Sequence, residues 1–204
     1  PAHVCHPVNN VARPDIELLT MEEMVRQAGL IASAVRIPVI ADADTGQHWP
    51  GHPGPPAIYG DLANVERTTR AYMQAGVAAI HLEDQVSPKR CGHLGEARLL
   101  DERSMVAKLQ VALETRGARS MLVIGRTDAF KVSGLEEAIC RANLYGKAGV
   151  DILFVDGLTE PEDFRQVRLN VEGRLMASVV EIDAPAKVKA DELERMGYSI
   201  AVFA

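Results

Sequence analysis

The chain has 204 residues, of which 47% are hydrophobic and 25% are charged, and its formal net charge is -6 at pH 7. This composition is typical of a soluble globular protein and predicts one domain over residues 1–204. The acidic balance argues against a nucleic-acid-binding protein. No apolar run reaches the roughly 18 residues of a membrane helix, and residues 1–20 lack a signal-peptide pattern. We therefore expect no membrane partner and a cytoplasmic or organelle-matrix location.

Short apolar runs alternate with amphipathic stretches from residue 21 onward. The apolar runs predict strands buried on both faces at 38–42, 78–83, 121–126, 152–156, 175–180 and 199–203. The amphipathic stretches predict helices at 21–35, 62–75, 102–116, 135–148, 161–169 and 186–196. Thr20 and Glu23 form a capping-box pattern at the first helix, and Gly76, Gly117, Gly149 and Gly197 mark helix ends.

The alternation of strand and helix predicts a parallel sheet, either open and doubly wound or closed as a (β/α)8 barrel. The positions of polar residues distinguish the open sheet from the barrel. Polar residues lie at or just after the ends of many different strands: Asp42, Asp44, Glu83, Asp84, Arg126, Asp128, Asp156 and Glu181. Such residues converge at the mouth of a barrel, whereas an open sheet gathers ligands at one switch point. We therefore predict a TIM-type (β/α)8 barrel. Only six strands are countable, and residues 1–15 have no assigned element.

The Pro/Gly-rich segment 47–60 predicts an extended loop at the barrel mouth, with a tolerated surface insertion as the alternative. The three cysteines, Cys5, Cys91 and Cys140, have no disulfide spacing. A zinc site built from Cys5, Cys91 and the histidines near them remains a minor alternative, because no Cys-x-x-Cys spacing supports it.

Acidic residues at neighbouring strand ends form a candidate metal site. Asp42, Asp44, Glu83 and Asp84 offer hard oxygen ligands, which suit Mg²⁺ or Mn²⁺ better than zinc. Turn chemistry alone would also explain Asp44 in its Asp-Thr-Gly context. A cation would relieve the mutual repulsion of the carboxylates.

Two further positions carry candidate chemistry. Arg126 at a strand end suits bidentate carboxylate recognition, with a salt bridge to the nearby acids as the alternative. Cys91 lies among Lys89, Arg90 and His93, and cations favour the thiolate. A buried, inert cysteine is the alternative. Together these residues predict a site for an anionic substrate.

Four motifs carry a family resemblance. ADADTG at 41–46, HLEDQ at 81–85, KRCGH at 89–93 and GRTDA at 125–129 together resemble the isocitrate lyase and phosphoenolpyruvate mutase superfamily. PDIELLTMEEM at 14–24 also resembles the segment before the third strand of that family. The KRCGH motif is the most specific, because it resembles the lyase branch and related hydrolases rather than the phosphonate mutases.

The resemblance implies a Mg²⁺-dependent (β/α)8 barrel that cleaves the C2–C3 bond of a 2-hydroxy di- or tricarboxylate. It implies Asp44 as the main metal ligand with Asp42 and Glu83 around it, and Arg126 as the residue that holds the 2-oxo acid product. It implies Cys91 as the proton donor, tuned by Lys89 and His93. Substrate contacts are expected from Arg126, Gly92, His93, Asp156 and Ser178.

The resemblance also implies departures from the family pattern. Asp156 stands where the family usually has Glu, and Ser178 stands where it has Asn, so the substrate is left open. The first one or two βα units and the last helix are expected to be missing from residues 1–204. A homo-oligomer, a tetramer in the family, is expected. An oxaloacetate hydrolase and a non-catalytic degenerate barrel are the alternative functions.

Overall fold

The computed structural model describes residues 3–5, 19–46, 58–87, 89, 97–180 and 187–203. Within these residues, seven strands form one parallel sheet: β1 (His3–Cys5), β2 (Val39–Asp42), β3 (Ala79–Glu83), β4 (Leu122–Thr127), β5 (Ile152–Val155), β6 (Leu175–Val179) and β7 (Ile200–Phe203). The seven helices described lie between successive strands, with two of them between β4 and β5: α1 (Met21–Ala34), α2 (Ile58–Ala75), α3 (Glu102–Arg116), α4 (Ala129–Ser133), α5 (Leu135–Ala148), α6 (Pro161–Asn170) and α7 (Ala190–Met196).

The strands lie side by side in their order along the chain, from β1 to β7. Every neighbouring pair is parallel. This order is the one that a barrel requires, because a doubly wound sheet reverses its strand order at a switch point. The sequential parallel sheet therefore favours the predicted barrel over the doubly wound alternative.

The two faces of the sheet differ in what covers them. Alternate strand residues such as Val39, Ala41 and Leu153 pack with the helices in the larger apolar cluster. The intervening residues form a second cluster made of strand side chains alone: Ile40, Ala79, Ile124, Ile152, Phe154 and Met176. Since successive side chains of a strand point to opposite faces, the second cluster defines an inner face, and no helix among the described residues contributes to that cluster.

The predicted elements are largely present. All six predicted strands occur within one residue or two of their expected bounds, and the capping box is confirmed, because Glu23 N donates to Thr20 Oγ1 at 3.3 Å and Thr20 N donates to Glu23 Oε2 at 2.8 Å. Strand β1 and the five-residue helix α4 were not predicted. Three-residue and five-residue elements are too short to show a hydrophobic period.

Two predicted boundaries were wrong. Helix α2 begins at Ile58, so the last three residues of the predicted 47–60 loop are helical, whereas 47–57 lie outside the described residues. Prolines at 55 and 56 precede this start, and proline is tolerated only at the beginning of a helix. Helix α7 begins at Ala190 rather than 186, because Glu192 accepts a hydrogen bond from Lys189 N at 2.9 Å and caps the helix there. None of the helices described here is long and apolar enough to cross a membrane.

Candidate active site at the carboxyl ends of the strands

The turn after β2 brings two carboxylates together. Asp42 is the last residue of β2, and Asp44 N donates a hydrogen bond to Asp42 Oδ1 at 2.8 Å. Asp44 has a φ of 51°, a left-handed conformation that Asp tolerates better than most residues. Tyr72 of α2 fixes the strand end, because its hydroxyl donates to Asp42 O at 2.8 Å. Both carboxylates are buried, with 4% of each residue exposed.

Lys89 lies against these two carboxylates. Its ammonium forms an ion pair with Asp44 Oδ1, and Lys89 Nζ is 3.8 Å from Asp42 Oδ2. The side chain of Lys89 is buried to the same degree as its partners. Buried charges persist only when they are paired, so the lysine supplies one of the positive charges that the two acids need. The expected role of Lys89, to tune Cys91, stays a prediction.

Glu83 is the third predicted metal ligand, and it lies on the inner face at the end of β3 beside Arg126. It is fully buried. Burial raises the pKa of Glu83 well above its usual value, and the positive charges of Lys89 and Arg126 oppose that shift. Arg126 Nη1 is 3.4 Å from Glu83 Oε2, yet neither carboxylate oxygen has a hydrogen-bond donor among the described residues.

The guanidinium of Arg126, a residue of β4, lies close to the carboxylates of acidic residues. Its Nε and Nη2 donate to the two carboxylate oxygens of Asp128 at 3.0 and 2.7 Å, and Nη2 also donates to Asp156 Oδ2 at 3.1 Å. The guanidinium lies 5.4 Å from the centroid of the Phe154 ring, a cation–π distance. The salt-bridge alternative proposed for Arg126 is therefore present, and the carboxylate-binding role stays a prediction.

His81 connects the two groups of charges. Its Nδ1 is 3.4 Å from Asp42 Oδ1, and its ring packs edge-on against Phe154 with 5.9 Å between the centroids. Burial lowers the pKa of His81 to about 4, although the charge of Asp42 opposes the shift. The imidazole is therefore neutral at neutral pH and fills the space between the groups without adding charge.

Asp84 does not join the other acids, so its inclusion among the metal ligands was wrong. Its carboxylate lies on the helix side of the sheet, where it accepts hydrogen bonds from Thr127, Arg141 and Tyr145. Glu83 and Asp84 are consecutive residues at the end of a strand, so their side chains point to opposite faces. That alternation separates the two carboxylates.

The described residues on either side of the Cys91 segment lie next to each other. Gln85 forms an antiparallel bridge with Leu99, Val86 N donates to Arg98 O at 2.7 Å, and Leu100 N donates to Asp84 O at 2.8 Å. These contacts hold both ends of the segment beside the end of β3. The predicted site residues Cys91, Gly92 and His93 lie outside the described residues.

Ser178, the remaining predicted substrate contact, lies in β6. It has the same strand parity as Met176, which belongs to the inner-face cluster. Ser178 therefore faces the same side of the sheet as Glu83 and Arg126, and its contact with substrate stays a prediction.

The donor chemistry of the acids fits a hard divalent cation. No three His, Cys, Asp or Glu side chains within the described part of the chain form a preassembled metal site. Mg²⁺ does not require one, because it usually takes one or two carboxylates and keeps several waters. Asp42 and Asp44 supply two buried carboxylates. The two carboxylate oxygens of Glu83, which accept no hydrogen bond from the described residues, supply further electron pairs for a metal ion. The metal assignment is compatible with the site and stays a prediction.

Four site residues were not predicted: Tyr72, His81, Asp128 and Phe154. For His81 a signal existed, because it alternates with Glu83 in β3 and must share its face. Asp128 was noted only as a polar residue at a strand end. Its hydrogen bonds with Arg126 depend on the local backbone conformation, which the sequence pattern does not predict. Nothing in the sequence distinguishes Tyr72 or Phe154 from ordinary core aromatics.

Comparison with known proteins places these features in context. A family model described as phosphoenolpyruvate phosphomutase matches residues 9–204. The chain is 38% identical over 195 residues to 2,3-dimethylmalate lyase of Eubacterium barkeri, covering 96% of this chain and 63% of that protein. It is 40% identical over 194 residues to 2-methylisocitrate lyase of Aeropyrum pernix, covering 95% of this chain and 58% of that protein. The chain thus spans about three fifths of the length of these relatives.

Solved structures resemble the whole described fold. The crystal structure of a 2,3-dimethylmalate lyase, a member of the PEP mutase/isocitrate lyase superfamily, matches with a TM-score of 0.87 at 33% identity, covering 99% of this chain and 66% of that one. Oxaloacetate acetylhydrolase in complex with 3,3-difluorooxalacetate matches with a TM-score of 0.87 at 27% identity, covering 99% and 67%. The parallel α/β sheet is therefore similar to the TIM-like barrels of that superfamily.

Proposed function

The chain belongs to the phosphoenolpyruvate phosphomutase family, and on that premise we propose that it acts as a Mg²⁺-dependent carbon–carbon lyase. Its substrate is a 2-hydroxy di- or tricarboxylate similar to methylisocitrate or 2,3-dimethylmalate. The products are a 2-oxo acid and a second carboxylic acid. The identity to two proteins named as lyases of these kinds supports the proposal. The sequential parallel strands support a closed (β/α)8 barrel.

The observation that carries the proposal is an excess of buried negative charge around two cations. Among the described residues, Lys89 and Arg126 face the carboxylates of Asp42, Asp44, Glu83, Asp128 and Asp156. Lys131 adds a third positive charge near Asp156, and three positive charges do not balance five carboxylates. A divalent cation would offset this remaining excess of negative charge, and it would present a positive centre to an anionic substrate.

Asp42, Asp44 and Glu83 are the proposed ligands of Mg²⁺ or Mn²⁺. These three residues would hold the ion, which would supply Lewis-acid polarisation of the oxygen on C2 of the substrate. Arg126 binds the carboxylate of the 2-oxo acid half, and its contact with Asp128 keeps the guanidinium oriented. Bidentate recognition of this kind is the particular strength of arginine.

Cys91 is the proposed general acid. When a base removes the proton of the C2 hydroxyl, the C2–C3 bond breaks and its electron pair moves to C3 and the adjoining carboxylate. Cys91 then delivers a proton to C3, and Lys89 and His93 adjust its acidity. Gly92, His93, Asp156 and Ser178 complete the contacts with the substrate carboxylates.

The experiment that tests the proposal is turnover of each candidate acid in the presence of Mg²⁺. We expect release of a 2-oxo acid together with the second acid from methylisocitrate or 2,3-dimethylmalate. Cys91→Ser should lower kcat by at least about 10²-fold, the low end of general acid–base contributions, with little change in affinity for pyruvate.

The matched control is Cys140→Ser, because Cys140 is an exposed free cysteine on α5. This variant should retain the activity of the parent. Full activity of Cys91→Ser on every acid that the parent cleaves would contradict the lyase mechanism.

A second candidate function is hydrolysis of oxaloacetate. It is favoured by the similarity of this chain to an oxaloacetate acetylhydrolase structure. That structure and the dimethylmalate lyase structure both match this chain with a TM-score of 0.87. Release of oxalate and acetate from oxaloacetate, without cleavage of the 2-hydroxy acids, would select this function. Absence of turnover on all of these compounds would favour a non-catalytic barrel.

The oligomeric state is part of the same proposal. We infer a homo-oligomer, a tetramer by the family resemblance, that takes a small carboxylate as its ligand. Sedimentation of the purified chain measures this directly, and a monomer at micromolar concentration would exclude it.

A further inference from the structure

The buried carboxylate of Asp84, on the helix side of the sheet, accepts four hydrogen bonds from the described residues. Asp84 Oδ2 accepts from Thr127 Oγ1 at 2.7 Å, Tyr145 OH at 2.7 Å and Arg141 Nη1 at 3.3 Å. Asp84 Oδ1 accepts from Asp128 N at 2.9 Å. A fully buried carboxylate is tolerated only when it is paired and hydrogen-bonded, and this one meets that condition with donors from two elements.

Close packing of α5 against β4 makes these contacts feasible. A side-chain carbon on Gly125 would lie 3.3 Å from Tyr145 Cβ and 3.4 Å from Val150 Cγ2. The absence of that carbon lets the helix approach the strand, so that the Tyr145 hydroxyl and the Arg141 guanidinium reach Asp84. Arg141 also donates to Leu100 O at 2.8 Å, which ties the same group to the chain that follows the Cys91 segment.

The two residues that Asp84 holds in β4 are the ones that follow Arg126. Thr127 ends the strand, and its side chain bonds to Asp84. The peptide N–H of Asp128 bonds to the other oxygen of the same carboxylate. The carboxylate of Asp128 in turn accepts two hydrogen bonds from Arg126, one from Nε and one from Nη2.

We propose that Asp84 is a positioning residue that fixes the orientation of the Arg126 guanidinium through Thr127 and Asp128. The inference rests on the proposed function, in which Arg126 binds the substrate carboxylate. The hydrogen bonds from Thr127 Oγ1 and Asp128 N to the two oxygens of Asp84 restrain the backbone at 127–128, so the Asp128 carboxylate stays directed at Arg126. A small displacement of such a group has a large effect, because catalysis depends on orientation.

Side-chain NMR of the full 204-residue chain tests this inference, because it reports hydrogen exchange at Arg126 Nε–H. Thr127→Val removes at nearly constant shape the hydroxyl that donates to Asp84 and accepts from Ala129 N, and Thr127→Ser retains that hydroxyl. We expect exchange at Arg126 Nε–H to accelerate by about fivefold or more in Thr127→Val, which corresponds to the loss of at least one hydrogen bond. Thr127→Ser should stay near the wild-type rate.

A tyrosine pair supplies a second, independent comparison. Tyr145→Phe removes one donor to Asp84, and it should accelerate exchange at Arg126 Nε–H as Thr127→Val does. Tyr198→Phe removes a similar buried hydroxyl, which donates to Phe164 O at 3.0 Å far along the chain. This control should lower the thermal midpoint without changing the Arg126 signal. A merely structural role for Asp84 would not distinguish the two tyrosines.

The inference is overturned if Arg126 Nε–H exchanges at the wild-type rate in both Thr127→Val and Tyr145→Phe. It is also overturned if Tyr198→Phe accelerates exchange as much as Tyr145→Phe. Titration with pyruvate separates this result from the proposed function. A wild-type chain that binds no pyruvate contradicts the role of Arg126 in the lyase, whereas the exchange comparison still decides whether Asp84 positions the guanidinium.

Discussion

At the scale of single residues, the backbone of the turn after β2 determines where its carboxylates point. Asp44 adopts a φ of 51°, and Gly46 adopts a φ of 89° two residues later. A side-chain carbon at Gly46 would lie 2.6 Å from Val65 Cγ2 of α2. Glycine is therefore required at this position both for its backbone angle and for the space that it leaves.

Gly46→Ala should lower the free energy of unfolding by more than Gly76→Ala does. Gly76 has a similar φ of 80° but nothing within 4 Å of the added carbon. Both variants acquire backbone strain, and only the first also acquires a clash, for which overpacking costs about 1–3 kcal/mol. Urea unfolding of the two variants measures the difference. Equal losses would show that Val65 moves aside without cost.

Cys91 should react with an alkylating reagent faster than Cys140, because the cations that flank it in sequence favour the thiolate. Cys140 is exposed and provides the reference rate for an accessible thiol. Mass spectrometry of the labelled peptides gives both rates in one sample. A product such as pyruvate, with Mg²⁺, should slow the reaction at Cys91 alone. A slower rate at Cys91 than at Cys140 would count against its role as the acid.

At the scale of elements, α3 links the chain after the Cys91 segment to β4. Asp101 is its N-cap, and the carboxylate accepts from Ser104 N at 2.9 Å and from Ser104 Oγ at 2.6 Å. Buried residues of α3, including Met105 and Leu109, pack into the core on the helix side. The cap therefore fixes the start of a helix whose position follows directly from Leu100, which bonds to Asp84.

Asp101→Ala should lower the free energy of unfolding, because α3 loses its N-cap. The loss arises because Ser104 N has no other acceptor within the first turn. Asp101→Asn retains an oxygen acceptor and should lose only a fraction of that amount. Guanidinium unfolding monitored by circular dichroism gives both values. A full loss in the Asn variant would assign the effect to charge rather than to capping.

At the scale of the whole molecule, the parallel sheet and its helices were predictable because short apolar runs alternate regularly with amphipathic stretches along the chain. The site was predictable only in part. Asp42, Glu83 and Arg126 follow from strand ends, but the sequence alone grouped Asp84 with them, although it lies on the opposite face. The two hydrogen bonds from Arg126 to the Asp128 carboxylate depend on the backbone conformation after β4. Hydrophobic periodicity carries no information about such local geometry.

Binding of a divalent cation should stabilise the entire fold, because a ligand that binds only the folded state shifts the unfolding equilibrium. At about 100 times the dissociation constant, Mg²⁺ adds about 2.7 kcal/mol, and for a chain of this size the thermal midpoint rises by about 5–10 °C. Asp44→Ala should abolish this shift. Asp191→Ala, which removes an exposed carboxylate paired with Arg195, should retain it. Differential scanning calorimetry with Mg²⁺ and with EDTA measures each variant, and an equal Mg²⁺-dependent rise in Asp44→Ala and Asp191→Ala would contradict a metal site at the turn after β2.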